Sequence, residues 1–173
     1  MQVRELDSGD VESILELRRQ GLLESPQAFG SSLEEEDSLS PELRRSKCIA
    51  YGEDFILGAF DEQGCLVGMA GFRREKRQKS NHLASIWGMY VSPEFRCRGV
   101  GKQLLTMLIN RARSTHGVEQ IMLDVVKEMV PARRLYLGHG FEIDGLFREA
   151  LREGNRYYDV EHMTLFLNRK PEA

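Results

Sequence analysis

The stretch Val91-Ser92-Pro93-Glu94-Phe95-Arg96-Cys97-Arg98-Gly99-Val100-Gly101-Lys102 carries the densest chemical signal in this chain of 173 residues. Two glycines open an amphipathic segment, and Arg96, Arg98 and Lys102 bring positive charge to it. The first turn of a helix presents backbone N–H groups without intrahelical partners, together with a partial positive charge. Glycine at 99 and 101 removes the Cβ atoms that would hold an anion away from those groups. The spacing predicts a phosphate cradle and allows a pyrophosphate to sit on several of those amides at once. Two commoner phosphate loops are excluded by counting. A dinucleotide fingerprint requires a third glycine at 104, where Leu104 stands. A Walker A loop ending at Gly101-Lys102 requires glycine at 96 and Ser or Thr at 103, where the chain has Arg96 and Gln103.

Other reactive side chains are scattered. Cys48, Cys65 and Cys97 are odd in number and far apart, and His82, His116, His139 and His162 show no short-spaced pairing. Neither a disulfide framework nor a metal site is expected. Twenty-four basic residues against 27 acidic ones give a formal charge of -3, unlike the basic excess of a dedicated nucleic-acid binder. No apolar run approaches the ~18 residues of a membrane span, and Met1-Gln2-Val3-Arg4-Glu5 lacks a signal-peptide core. A cytoplasmic, reduced setting without membrane or nucleic-acid partner is the expectation.

The elements that must position the cradle follow from periodicity. A strand over residues 2–6 leads to a helix with Asp7 or Ser8 as N-cap and Ile14, Leu15, Leu17 and Leu22 at helical spacing. Ser25-Pro26-Gln27-Ala28-Phe29-Gly30-Ser31-Ser32 is a turn-rich stretch with one exposed-looking aromatic, and short helical pieces follow over 34–39 and 41–47. Strands are expected over 55–60, 65–73, 83–91, 120–126, 141–150 and 156–166, and helices over 99–113 and 131–137. The strand over 83–91 is apolar on both faces, with Ile86 and Tyr90 read onto one and Trp87 and Met89 onto the other, as in a covered central strand. Val100, Leu104, Leu108 and Ala112, widened by Leu105 and Ile109, give the following helix one apolar face. The basic tract from Arg73 to Lys79 reads as a solvated hairpin loop or an anion-attracting rim. The order is that of an α/β protein with a mixed sheet, whose 83–91 and 120–126 strands run parallel around the helix. Without repeats, low-complexity tracts or linkers, residues 1–173 are expected to form one domain.

Arg96-x-x-Gly99-x-Gly101, following a strand that ends Met89-Tyr90-Val91, resembles the acetyl-coenzyme A signature of the GCN5-related N-acetyltransferases (GNAT). Ala132-x-x-Leu135-Tyr136, before Gly140-Phe141, is similar to that family's second motif, and the Ser-Pro-x-Ala-Phe-Gly-Ser-Ser stretch looks like a subgroup of small bacterial members. The resemblance implies a twisted mixed sheet of about seven strands, splayed between its two central parallel strands and flanked by about four helices. It implies acetyl-CoA as cosubstrate, an amine as acceptor, no metal, and compatibility with a homodimer. The pantetheine arm would lie along Met89, Tyr90 and Val91, the pyrophosphate over Arg96, Cys97, Arg98, Gly99, Val100, Gly101 and Lys102, and the thioester near Tyr136. The departure is Met129, where the family commonly has Asn; His139 also replaces a bulky apolar residue and is read as packing or solvent-facing.

Amine attack on a thioester needs a neutral amine, a donor to the developing oxyanion and a proton for the leaving thiolate. An unpaired N–H at the end of the 83–91 strand suits the second task. Tyr136 suits the third, because a phenol near pKa 10 is protonated at neutral pH whereas a thiol has a pKa near 8.5. A lysine acceptor is neutral in only about one molecule in 2500 at pH 7, whereas an α-amine is neutral in about a tenth or more, so an α-amine needs little base assistance. Glu34, Glu35, Glu36, Glu94 and Asp124 are weak candidates for a base, the first three doubling as helix-start residues. Tyr157, Tyr158, Asp159, Glu161 and His162 either line the acceptor pocket or mark a half-exposed strand. The expected activity is acetylation of a primary amine on a small molecule or peptide terminus. A non-catalytic acyl-CoA-binding module and a protein lysine acetyltransferase are the alternatives.

Overall fold

The computed structural model describes residues 1–50 and 52–167. In chain order they form β1 (Gln2–Glu5), α1 (Val11–Glu24), α2 (Leu33–Ser38), α3 (Pro41–Ser46), β2 (Phe55–Phe60), β3 (Leu66–Arg74), β4 (Leu83–Val91), α4 (Val100–Ser114), β5 (Gln120–Val126), α5 (Val130–Leu137), β6 (Glu142–Glu153) and β7 (Arg156–Phe166). Local chemistry sets several of these boundaries. Asp7 and Asp10 form a capping box over a short 3-10 turn that leads into α1. Ser32 and Glu35 form a second box at the start of α2. The 33–46 stretch divides at Ser40, which is extended because it precedes Pro41, and whose side chain caps α3.

The strands build one sheet in the order β1-β2-β3-β4-β5-β7-β6. Neighbours are antiparallel except β4 and β5, which run parallel on either side of α4 in sequence. One face carries α4 and α5, with Leu104, Leu105, Leu108, Ile121 and Phe141 at the heart of the larger core. The other face carries α1, whose Ile14 and Leu17 pack with Ile56, Met69 and Tyr90. All six residues of β2 are buried, and Phe55 and Phe72 stack at 4.6 Å between ring centres.

The sheet opens at its centre. β4 and β5 pair only over Leu83–Ser85 with Gln120–Met122, yet both strands continue beyond those pairs. On its other side β4 pairs Trp87 with Gly71 and Tyr90 with Met69, so Gly88 and Met89 together oppose the single residue Ala70. This is a β-bulge with Gly88 at φ +60, and a bulge bends its strand and increases the local twist. β4 therefore turns away from β5 just where the parallel ladder ends. The extra residue also shifts the side-chain alternation. Ile86 and Met89 face the α4 side, while Trp87 and Tyr90 face the α1 side. The strict period-2 reading, which grouped Ile86 with Tyr90 and Trp87 with Met89, is corrected by that insertion.

Candidate active site

A cavity of about 580 Å³ occupies the gap between β4 and β5. Its walls are Ile86 to Met89 from β4 and Leu123 to Val126 from β5, closed by Phe29 and Gly30 on the α1 side and by Tyr136 on the α5 side. The cleft therefore reaches both faces of the sheet, so two molecules can meet inside it from opposite sides.

α4 begins beside this cleft. Its N-cap is Gly99 at φ +81, so no side chain caps the helix, unlike α2 and α3 with their serines. Cys97 is also left-handed at φ +59, a conformation rare for a side chain other than glycine, Asn or Asp. The two glycines do different work. A Cβ at Gly99 would meet nothing within 4 Å, so glycine is required there by the backbone angle and leaves the amides open. A Cβ at Gly101 would stand 3.3 Å from Leu135 Cδ2 and 3.6 Å from Met89 Cε, so glycine lets α4, α5 and β4 converge. An anion fits this helix start, because the amides have no competing cap and the macrodipole points at it. Arg98 and Lys102 are exposed around it, Arg98 lying over the Phe95 ring at 5.5 Å.

Arg96 is engaged elsewhere. Its Nη1 and Nη2 donate to the two Glu24 carboxylate oxygens at 2.8 and 2.5 Å, and its Nε donates to the Val91 carbonyl at 2.9 Å. The guanidinium also lies over the Tyr90 ring at 5.5 Å. Arg96 thus ties the cradle loop to the end of α1 and to the end of β4. The hydrogen bond from Arg96 holds the Glu24 carboxyl below the usual carboxylate range, ahead of the opposing effect of burial. Of the predicted pantetheine contacts, Met89 lines the cleft, Tyr90 is buried on the α1 side, and Val91 is half-buried against the α4 core.

Tyr136 lies on α5, buried, with its ring edge-on to Phe141 at 5.8 Å, and it lines the cleft. Burial pushes its phenol well above the ordinary value, so it is held protonated. α5 is fixed by a bidentate pair from Arg133 Nε and Nη2 to Glu161 at 2.6 and 2.9 Å, and by His139, whose Nδ1 donates to Leu135 O at 2.7 Å. Met129 lines the cleft, and Gln27 Nε2 donates to its sulfur at 3.9 Å.

The structure separates the proposed bases. Glu35 serves the α2 capping box. Glu36 is buried, its carboxyl pushed up by burial but left below its ordinary value by Arg18, Ser31 and Lys47. Asp124 lines the cleft and accepts from His162 Nδ1 at 2.7 Å, its partner in the β5–β7 register. Among the residues near the last strand, Tyr158 packs with Val126 and Val160, and Val160 meets the cleft. Sequence reasoning missed Arg18 on α1 and Phe147, Ala150 and Leu151 on β6, all in the cleft wall. Two adjacent apolar pairs in an edge strand were the available signal, because they break alternation where β6 bulges around Glu149 at φ +52.

The profile of the Acetyltransferase (GNAT) family matches residues 18–141, from the second half of α1 through the bulged strand and the start of α4 to α5. The chain belongs to that family. The L-amino acid N-acetyltransferase AaaT of Escherichia coli (strain K12) is 32% identical over 101 residues, covering 58% of this chain and 61% of that relative. The chain thus matches about three fifths of the relative's length. A GNAT superfamily phosphinothricin acetyltransferase from Sinorhizobium meliloti, crystallised in complex with AcCoA, superposes with a TM-score of 0.80 at 25% identity, over 95% of this chain and 87% of that one. A GCN5-related N-acetyltransferase from Kribbella flavida gives a TM-score of 0.82 at 25% identity, over 95% and 96% of the two chains. The mixed seven-stranded sheet with its parallel central pair, flanked by helices, is the fold these GNAT proteins share. The flanking helices number five among the described residues, because the 33–46 stretch divides at Ser40.

Proposed function

We propose that this protein transfers the acetyl group of acetyl-CoA to a primary amine of a small molecule or a peptide terminus, by direct attack with both substrates bound. The observation that carries the reading is the coincidence of two openings. The parallel ladder stops after Ser85 and Met122, and the uncapped start of α4 stands beside the resulting cleft. A thioester carrier with a diphosphate tail suits both, and the Sinorhizobium meliloti relative was crystallised with such a carrier. In this reading the amides from Cys97 to Lys102 hold the diphosphate, with Arg98 and Lys102 adding charge. Arg96 positions the loop through Glu24, and the β4 backbone around Met89 aligns the pantetheine arm. Treating residues 1–173 as one domain belongs with the proposal, since all seven strands share one sheet.

Bound acetyl-CoA supplies a thioester that a neutral amine attacks, with the C–N bond forming and the C–S bond breaking. The chain's own contributions are three. β4 beyond Ser85 lacks a β5 partner, which leaves backbone donors for the developing oxyanion. Tyr136, held protonated by burial, gives its proton to the departing sulfur and regains one as the nitrogen loses its own. Apolar surface from Phe29 and Val160 lines the cleft beside the reacting atoms.

Release of free thiol from acetyl-CoA, followed across polyamines, aminoglycosides, amino acids and peptides, tests the reading. Amine-dependent release is expected. Tight acetyl-CoA binding without release for any amine would instead identify a binding module, and release only with protein lysines a protein acetyltransferase.

A further inference from the structure

A second cavity, of about 220 Å³, lies on the α1 face of the sheet, between α1, α3 and strands β3 and β4. Its lining includes Arg18, Arg44, Lys47 and Arg73, against one carboxylate, Glu36. The chain as a whole carries a formal charge of -3, so this concentration of cations runs against the average. We propose that the cavity holds an anionic group of the acceptor, a carboxylate or another oxyanion, so that acceptors are amino acids or amines bearing an equivalent anion. The proposal rests on the acetyl-transfer reading and names its acceptor class.

Local pairing leaves the cavity electropositive. Glu36 Oε1 alone serves Arg18 Nη2 at 2.6 Å, the Ser31 hydroxyl at 3.1 Å and Lys47 Nζ at 3.9 Å. Arg44 Nη2 donates to the Asp37 and Leu39 carbonyls at 3.2 and 3.3 Å, and its one carboxylate contact among the described residues is a 3.6 Å approach to Asp37, already bound by Arg19 at 2.8 Å. Arg73 lies over the Trp87 ring at 5.5 Å and has no carboxylate partner among the described residues. Like charges crowded around a cavity repel one another, and an anion among them reverses the sign of each interaction.

Two of the lining residues carry buried donor atoms that add an independent observation. Arg44 Nε and Trp87 Nε1 are both buried without a hydrogen-bond partner. Each is a donor with no acceptor function, so each calls for an oxygen. The indole is placed deliberately. Trp87 pairs with Gly71, where a Cβ would fall 2.2 Å from the ring, so only glycine lets the indole lie across β3.

The location fits an acceptor rather than the carrier. The cradle at α4 belongs to the opposite face, whereas Ile14, Cys48 and Trp87 of this cavity pack in the α1 core. Arg18 and Trp87 line both cavities, so a molecule anchored by its anion here extends past Trp87 toward the bulge at Gly88 and the cleft.

Trp87 is the single tryptophan of the chain, so fluorescence reports this wall directly. The test titrates the whole protein with L-amino acids, with the matching amino-acid carboxamides and with aminoalkyl phosphonates. It is then repeated on Arg73→Gln and Lys47→Gln, both exposed positions whose replacement spares the core. Saturable changes are expected with the anionic series, with binding ~10-fold or more weaker for the carboxamides and ~10-fold weaker in each variant. The phosphonate arm tells a carboxylate from a larger oxyanion, and saturation by either supports the pocket. Equal responses to acid and amide, or variants that titrate like the parent, would overturn it. Thiol release from acetyl-CoA is measured on the same compounds. Anion binding without release refutes acetyl transfer but not the pocket, and release with neutral amines alone refutes the pocket but not acetyl transfer.

Discussion

Replacing Tyr136 by Phe removes one oxygen from the cleft and little else. The ring keeps its edge-on contact with Phe141 at 5.8 Å, and no hydrogen bond among the described residues uses the hydroxyl. No partner is orphaned and no side-chain volume beyond that oxygen is lost, so stability should change by less than about 1 kcal/mol. Catalysis should change far more. If the phenol protonates the leaving sulfur, its loss removes a contribution of about 10²-fold, or about 2.7 kcal/mol of barrier. The assay is single-turnover thiol release with saturating acetyl-CoA and amine, beside calorimetric binding of acetyl-CoA and a thermal melt. The expected result is kcat lower by ~10–100-fold, with acetyl-CoA affinity within ~2-fold and an unchanged melt. Because burial holds the phenol up, the parent rate should also show no loss of the acid form on the alkaline side until well above pH 10. An unchanged single-turnover rate in folded Tyr136→Phe would refute the proton-donor role.

Two further outcomes follow from the ion pairs. Glu24→Gln loosens Arg96, whose pairing with Glu24 spans partly exposed groups; stability should fall by only about 1 kcal/mol. Acetyl-CoA binding should weaken ~3–10-fold because the cradle loop loses its tie to α1, and calorimetry showing intact affinity would make the clamp merely structural. Asp10, Glu24 and Glu36 all sit below their ordinary carboxyl range in the fold, Asp10 through its hydrogen bonds from Arg4. A depressed folded-state pKa stabilises above the unfolded value and is lost as pH falls through the folded one. The melting temperature should therefore be flat above about pH 5 and drop below about pH 4. A melt unchanged at pH 3 would contradict that sign.

Much of the fold was legible because its periodicities are long and clean. The strands over 55–60, 83–91, 120–126 and 156–166 stand where the apolar runs put them, and the stripe on α4 is buried as read. The uncapped glycine start of α4 was legible for a local reason, since two glycines and the end of a strand are all that its backbone needs. The bulge at Gly88 was not legible. A glycine inside an apolar strand is compatible with plain pairing, and only the register against Ala70 shows the insertion that exchanges the faces of Met89 and Tyr90. Arg96 was legible as a cation but not as a clamp, because Glu24 lies 72 positions away. The same holds for the second cavity. Arg18, Arg44 and Arg73 come from three separate elements, and nothing local announces that they converge on Trp87.

The central claim is that the diphosphate of a coenzyme A thioester rests on the bare amides opened by Gly99. Calorimetry of acetyl-CoA against S-acetylpantetheine, which lacks the diphosphate and nucleotide, tests it on the parent and on Gly99→Val. Valine at φ +81 is strained and places a branched side chain at the mouth of the cradle. The parent should bind acetyl-CoA at least ~100-fold more tightly than the truncated thioester, and Gly99→Val should shrink that gap to ~10-fold or less. Equal affinities in the parent, or a full gap retained in the variant, would contradict it.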